Sequence, residues 1–159
     1  RGLDDQGAQG RWRLSSTTEP RLVLTFRQSR EIVEHAYAEL PDEACGLLGG
    51  RESQVEEVYP LPNTEQSPAR YLADPQAQLD AMLDMEARDQ EVVGIYHSHP
   101  GRGAYPSPTD VAMAAYPNAV YLIVSLKDGK HPVMRAFHIK AGGIEEVDVV
   151  VPSQARGAA

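Results

Sequence analysis

The spacing of hydrophobic residues changes several times along the chain, and each spacing predicts a different element. Two nearly continuous apolar runs, EVVGIYH (91–97) and AVYLIVSL (119–126), are typical of strands that are buried on both faces. Shorter or alternating runs predict five more strands, RLVLTF (21–26), ACGLLGG (44–50), QVEEVYPL (54–61), PVMRAFHIK (132–140) and IEEVDVVV (144–151). Glycines at the end of run 44–50 predict that this strand forms a hairpin with the strand over 54–61.

Helical patterns are interleaved with these strands. An apolar residue at every fourth position predicts a helix over 27–40, which Pro41 ends. A second helix, with a narrow apolar stripe, is predicted from Pro75 to about Asp89, and a short third helix over 107–116. Because two central strands need cover on both faces, we predict an α/β fold with three layers, helix, sheet and helix, around a mixed β-sheet.

Length and composition narrow the classes of protein. With 159 residues, we expect one domain over 21–151, between a tail or linker at 1–20 and a tail at 152–159. The net charge is -8, so the chain lacks the excess of basic residues that binding to nucleic acid requires, and we predict no nucleic-acid partner. No apolar stretch is long enough for a membrane span, which favours a cytoplasmic protein. The one cysteine, Cys45, agrees with a reducing compartment.

Two histidines stand at the end of the first apolar run. Residues i and i+2 of a strand project from one face, so His97 and His99 can converge on one metal ion. A loop rich in glycine and proline then brings Asp110 back at the start of the third helix. Two imidazoles and one carboxylate leave a fourth position open, as in catalytic zinc sites. The alternatives are a histidine pair without metal, and Asp110 acting only in a capping box with Ser107.

A hydrolytic zinc site also needs a general base. Glu43 is the most attractive candidate because it comes just before a strand that could lie beside the histidine strand. The alternative is a glutamate in a solvated loop, since spacing alone does not establish that the strands are neighbours.

Together these residues resemble the signature of the JAMM (JAB/MPN) metallopeptidases, and the likeness extends over about residues 22–150. The matching residues are Glu43, His97-Ser98-His99-Pro100, Ser107 and Asp110. The resemblance implies a cytidine-deaminase-like fold and a Zn²⁺ ion bound by His97, His99 and Asp110. It also implies that Glu43 is the general base and acid, and that Ser107 supports the oxyanion. The longer matching stretches look most like the bacterial branch of small stand-alone members, which process sulfur-carrier proteins.

The family resemblance implies the substrate class as well. We expect a peptidase or isopeptidase that cuts after the terminal glycine of a ubiquitin-like or sulfur-carrier protein with a Gly-Gly tail. Segment 66–74 corresponds to the family insertion that holds such a tail, so Arg70, Tyr71 and Leu72 are candidate substrate contacts, with an ordinary loop as the alternative. Two other classes are a non-catalytic scaffold and a zinc deaminase, and one cysteine cannot supply the latter's site.

The remaining residues of chemical interest have ordinary explanations too. Cys45 is either a small buried residue or a thiolate that reaches the zinc and makes activity redox-dependent. His35, His131 and His138 have no partner at ligand spacing, so we expect them at the surface or at an interface, and a homodimer is a further expectation.

Overall fold

The computed structural model of the protein describes residues 20–153. The tails predicted at 1–20 and 152–159 therefore lie almost entirely outside the described residues. Within 20–153, no helix is both long and apolar enough to cross a membrane.

Strands and helices alternate along the described chain. The elements are β1 (Arg21–Val23), α1 (Phe26–Ala38), β2 (Cys45–Arg51), β3 (Gln54–Leu61), α2 (Pro75–Ala87), β4 (Glu91–His99), α3 (Pro108–Met113), β5 (Val120–Ser125), β6 (Val133–Lys140) and β7 (Gly143–Val150). All seven predicted strands and all three predicted helices are present.

One mixed sheet contains every strand, in the order β1-β3-β2-β4-β5-β6-β7. The central pair β4 and β5 is parallel, whereas β2 pairs antiparallel with both β3 and β4. The three-residue β1 pairs in parallel with β3 on one side and with β7 on the other, so the sheet closes on itself. The sequence did not predict this closure, because strand pairing depends on how the twisted sheet brings its edges together.

The two faces of the sheet carry separate cores, each covered by a helix. Ile32 and Ala36 of α1 belong to the first core cluster. Ala81 and Met85 of α2 belong to the second, with side chains that alternate with those of the first along β2 and β4. A helix on each face of a mixed sheet confirms the predicted α/β arrangement.

Several boundaries differ from the prediction, and local hydrogen bonds explain the largest difference. The first strand ends at Val23 rather than at residue 26, because Thr25 caps α1. The Thr25 hydroxyl accepts from the Gln28 amide at 3.0 Å, and the Gln28 side chain accepts from the Thr25 amide at 2.9 Å. The third helix ends at Met113 instead of residue 116. Strand β4 runs two residues beyond its predicted end, to His99, so both histidines lie within the strand.

Candidate functional site

Both histidines lie on the face of β4 that α2 covers. Ile95, two residues earlier, belongs to the core cluster on that side, and strand alternation keeps His97 and His99 on the same side. Their side chains are 1% exposed. The Nε2 atoms of the two rings lie 3.1 Å apart. The sheet thus brings two imidazole nitrogens to one point inside the protein.

The following loop and helix α3 complete the cluster. Ser107 is the N-cap of α3, and its hydroxyl accepts from the Asp110 amide at 3.0 Å. In return, Oδ2 of Asp110 accepts from the Ser107 amide at 2.9 Å. The same oxygen lies 3.1 Å from His97 Nε2 and 3.0 Å from His99 Nε2. The capping box is therefore present, and it aims the Asp110 carboxylate at the histidines, so the two interpretations of Asp110 are compatible.

The donor set fits a tetrahedral metal ion. His97, His99 and Asp110 offer three ligand atoms within reach of one ion. Atoms that bind zinc at 2.0–2.1 Å in tetrahedral geometry are about 3.3 Å apart, close to the separations here. Nδ1 of His99 lies 2.8 Å from the carbonyl oxygen of Gly103, which accepts its proton and leaves the Nε2 lone pair for a metal.

The charge states of Asp110 and His97 suit a cation. Burial raises the pKa of Asp110, but its contacts with His97 and His99 outweigh burial and hold the pKa well below the usual range. Burial lowers the pKa of His97 despite the neighbouring Asp110, which favours the neutral imidazole that binds metals. An ionised carboxylate beside a neutral imidazole is the form that a metal site requires.

Glu43 reaches the site through the pairing of β2 with β4. The Ala44 amide donates to the Ser98 hydroxyl at 2.8 Å, and the Ser98 amide donates to the Ala44 carbonyl at 3.0 Å. Cys45 is the register partner of His97. Glu43, two residues before Cys45, is thereby held next to the histidine end of β4. Ser98 supplies this connection through both its hydroxyl and its amide.

The environment of Glu43 is unusual for a carboxylate. The side chain is fully buried, and neither carboxylate oxygen has a hydrogen-bond partner within residues 20–153. The guanidinium of Arg102 approaches Oε2 to 3.5 Å. Burial raises the pKa of Glu43 to about 7, with Asp110 acting in the same direction and with His99 and Arg102 opposing. The solvated loop glutamate is thus the wrong alternative, and the group can both take and return a proton near neutral pH.

Asn63 organises the surroundings of Glu43, and sequence analysis missed it. Its side-chain amide donates to the carbonyl oxygens of Glu43 at 3.0 Å and of Arg70 at 3.2 Å. Its side-chain oxygen accepts from the amides of Glu65 and Leu72, both at 3.0 Å. The sequence offered only an asparagine after a proline in a loop, and nothing in that pattern reveals the bond to Glu43, 20 residues away.

The candidate substrate contacts occupy different environments. The Tyr71 ring stacks on His97, with centroids 4.6 Å apart and an interplanar angle of 25°. Tyr71 and the half-exposed Leu72 line a cavity of about 270 Å³, together with Cys45, Tyr116 and other residues. The Arg70 side chain is exposed, and no contact with the metal-ligand cluster is found for it in the described part of the chain.

Cys45 shows the properties of a structural thiol. Its sulfur lies 3.7 Å from the carbonyl oxygen of Leu61 and 3.8 Å from that of Pro62, as a donor to both. Burial raises its pKa to about 12, so the thiol keeps its proton at neutral pH. These features favour the small buried residue over the redox-active thiolate.

Two of the other histidines are placed differently from the expectation. His138 is half-buried, and its Nδ1 atom is buried without a hydrogen-bond partner in residues 20–153. Nδ1 of His35 lies 2.8 Å from the hydroxyl of the buried Tyr96, so this residue is partly buried rather than at the surface. His131 is exposed, as expected.

Comparison with known proteins shows what the chain is similar to. The family described as prokaryotic homologs of the JAB domain matches residues 27–140. The "CysO-cysteine peptidase" of Mycobacterium tuberculosis is 42% identical over 135 residues, 84% of this chain and 92% of that protein. The "Probable TtuB-protein conjugate cleaving protease" of Thermus thermophilus is 42% identical over 118 residues, 74% of each chain. A solution structure of a Desulfitobacterium hafniense protein, 41% identical, has a TM-score of 0.78 and covers 85% of this chain and 95% of its own.

Proposed function

The chain belongs to the family of prokaryotic homologs of the JAB domain, as its motif predicted, and from that premise we propose a zinc-dependent peptidase or isopeptidase. It hydrolyses the amide bond after the C-terminal glycine of a ubiquitin-like or sulfur-carrier protein. The observation that carries the proposal is the carboxylate of Glu43, which is buried without a hydrogen-bond partner among residues 20–153, beside the cluster of His97, His99 and Asp110.

The relatives support the class of reaction and of substrate. One is named a peptidase for a CysO-cysteine adduct, and the other a protease for TtuB conjugates. Both names describe cleavage between a named protein, CysO or TtuB, and the cysteine or protein that is joined to it. A non-catalytic scaffold, the alternative function, would have no use for a buried carboxylate that costs free energy without a hydrogen-bond partner.

In the proposed site, His97, His99 and Asp110 hold the zinc ion, with the imidazole of His99 oriented by the Gly103 carbonyl. A bound zinc ion supplies Lewis-acid polarisation of the scissile carbonyl and makes water a stronger acid. Asp110 keeps its orientation through the capping box at the start of α3.

Glu43 moves the protons of the reaction. Its carboxylate takes one proton from the attacking water and returns it to the nitrogen of the leaving amine as the carbon–nitrogen bond breaks. The products are the carrier with a free C-terminal carboxylate and the free amine. A pKa of about 7 suits both transfers, because a carboxyl group with this pKa gains and loses a proton with similar ease at neutral pH.

Ser107 supports the negative charge that develops on the carbonyl oxygen. In the cap, its hydroxyl oxygen accepts a hydrogen bond from the Asp110 amide, so the hydroxyl proton is free to be donated to another group. One well-placed donor of this kind contributes on the order of 3 kcal/mol to the transition state.

The carrier tail is proposed to lie along the segment that contains Arg70, Tyr71 and Leu72. Tyr71 joins this segment to the site by stacking on His97, and the adjoining cavity of about 270 Å³ can take an apolar side chain of the tail. An extended Gly-Gly tail would pass between Tyr71 and this cavity, since glycine has no side chain to obstruct a narrow approach. A homodimer stays a prediction that sedimentation would test.

The test is a cleavage assay on defined carriers. The zinc-loaded protein is incubated with carriers whose terminal glycine bears cysteine or a lysine ε-amine, and the products are weighed by mass spectrometry. With the unsubstituted protein, we expect the mass of the carrier to fall by the mass of the released amine less that of the water added in hydrolysis. Glu43→Gln should lower the rate at least about a hundredfold with unchanged zinc content, whereas the exposed Glu65→Gln should not. Cleavage that survives Glu43→Gln, or no cleavage of any carrier, would overturn the proposal.

A further inference from the structure

We propose that Arg102 binds the free α-carboxylate of the leaving amino acid, so that the enzyme prefers a carrier adduct with a single amino acid attached through its α-amine. This inference rests on the proposed function and specifies the leaving group of the same site. Neither the motif nor the proposed roles of its residues assigns a function to Arg102.

The position of Arg102 is fixed at the mouth of the site. Its carbonyl oxygen accepts from the Ser125 hydroxyl at 2.5 Å, which anchors the loop after β4 to the end of β5. Its guanidinium lies 3.5 Å from Oε2 of Glu43 and donates to the Ala69 carbonyl at 3.3 Å. The side chain is 47% exposed, whereas Glu43 is wholly buried. Arg102 is therefore the cation that a ligand meets on its way to Glu43.

The reaction geometry brings the leaving group to this cation. The leaving nitrogen must come within hydrogen-bond reach of Glu43, because Glu43 gives it a proton. In an α-amino acid, standard bond lengths place the carboxylate oxygens only about 3–3.5 Å from that nitrogen. A carboxylate there lies close to a guanidinium that is itself 3.5 Å from Glu43.

The charges favour the same arrangement. Arg102 has five N–H donors, of which the described contacts use few, and its fork matches a carboxylate in two parallel bonds. When Glu43 takes a proton from water, Arg102 loses the negative charge that it faces. A carboxylate on the leaving group replaces that charge when Glu43 is protonated, so the interaction strengthens during the reaction.

Other leaving groups lack this interaction. An isopeptide of lysine leaves through its ε-amine, whose four-carbon stem puts the α-carboxylate out of reach of Arg102. An amino acid that continues into a peptide has no free carboxylate. Both are expected to be poorer substrates than the simple adduct.

The experiment compares matched substrates that differ only at the leaving group. A carrier ending in Gly-Cys with a free carboxylate is compared with the same carrier ending in Gly-Cys-amide. We expect kcat/KM of the zinc-loaded parent to favour the free acid by about tenfold or more, the effect of a hydrogen bond to a charged group. Arg102→Gln should reduce this ratio to near one, and Arg102→Lys should retain part of it. Lys140→Gln, which removes an exposed charge at the end of β6, should keep the parent ratio.

A binding measurement separates recognition from catalysis. In the zinc-loaded Glu43→Gln variant, which resembles the protonated glutamate, calorimetry should show tighter binding of the acid than of the amide. Adding Arg102→Gln should abolish the difference. A melting curve for each variant shows whether it folds, and Arg102→Lys supplies the comparison if Arg102→Gln does not.

The outcomes distinguish the two proposals. If the parent cleaves neither carrier nor the lysine-linked one, the proposed function itself fails. If the parent cleaves the acid and the amide equally well, the function stands and the inference is overturned. If Arg102→Gln slows both substrates by the same factor, Arg102 acts only on Glu43, and the inference is likewise overturned.

Discussion

Replacing Asn63 by alanine tests whether one buried amide holds the general base and the substrate segment together. The Asn63 side chain makes four hydrogen bonds to the backbone, one to Glu43 and the others to residues 65, 70 and 72. A hydrogen bond contributes about 0.5–1.5 kcal/mol net to folding, so four bonds amount to roughly 2–6 kcal/mol. Because three of the four lie at partly exposed positions that water can reach after the substitution, we expect a loss of about 3 kcal/mol in the free energy of unfolding.

The assay is urea denaturation in the presence of a chelator, so that metal binding does not shift the apparent stability. Thr64→Ala is the matched control, since its hydroxyl donates one exposed bond at 3.0 Å to the carbonyl of Leu72 in the same segment. It should cost no more than about 0.5 kcal/mol. If Asn63→Ala is destabilised no more than Thr64→Ala, Asn63 does not organise this region. The zinc-loaded Asn63→Ala should also lose kcat/KM, because Glu43 is no longer held at its carbonyl.

Three further predictions concern the metal, the thiol and the partly buried His35. Zinc at a thousand times its Kd should stabilise the parent by about 4 kcal/mol in thermal melts, and equal shifts for His99→Ala would contradict the assigned ligands. Cys45 should resist iodoacetamide at pH 8 until urea unfolds the protein, since burial raises its pKa to about 12; rapid labelling of folded protein would contradict this. Burial lowers the pKa of His35, although Glu39 opposes, so the unfolded chain binds the proton more readily. The free energy of unfolding should therefore fall as the pH drops below about 6.5, and it should fall less for His35→Gln. Identical pH profiles for the two proteins would rule out this contribution of His35.

The pattern along the chain was enough for most of the fold. Alternating and continuous apolar runs correctly predicted seven strands and three helices within residues 20–153, and the need to cover β4 and β5 on both faces predicted a helix on each side. Local signals misjudged the ends of elements. A capping box at Thr25 took the last residues of the first predicted strand, because a side-chain hydrogen bond outweighed the β-propensity of the segment.

The residues of the candidate site also differ in whether contacts near or far in the sequence determine their positions. Two histidines at positions i and i+2 of a strand, and a capped helix that starts eleven residues later, are determined by short-range geometry, so the spacing sufficed for His97, His99 and Asp110. Its place before a strand made Glu43 a candidate, and the resemblance to a family supported it, but spacing alone was not enough, because its distance from the histidines depends on β2 pairing with β4 in one register. Arg102 and Asn63 had no signal at all, since their importance lies in which loops meet around Glu43.

The sequence by itself therefore determined the elements and the cluster of His97, His99 and Asp110, which depend on residues that are near one another in the chain. Only the tertiary structure decided that β1 closes the sheet, that burial raises the pKa of Glu43 to about 7, and that the half-exposed Arg102 lies beside the buried Glu43. Those properties arise from strand register and from the exclusion of water by packed loops. Both are set by contacts between residues that are far apart in sequence, which no local pattern encodes.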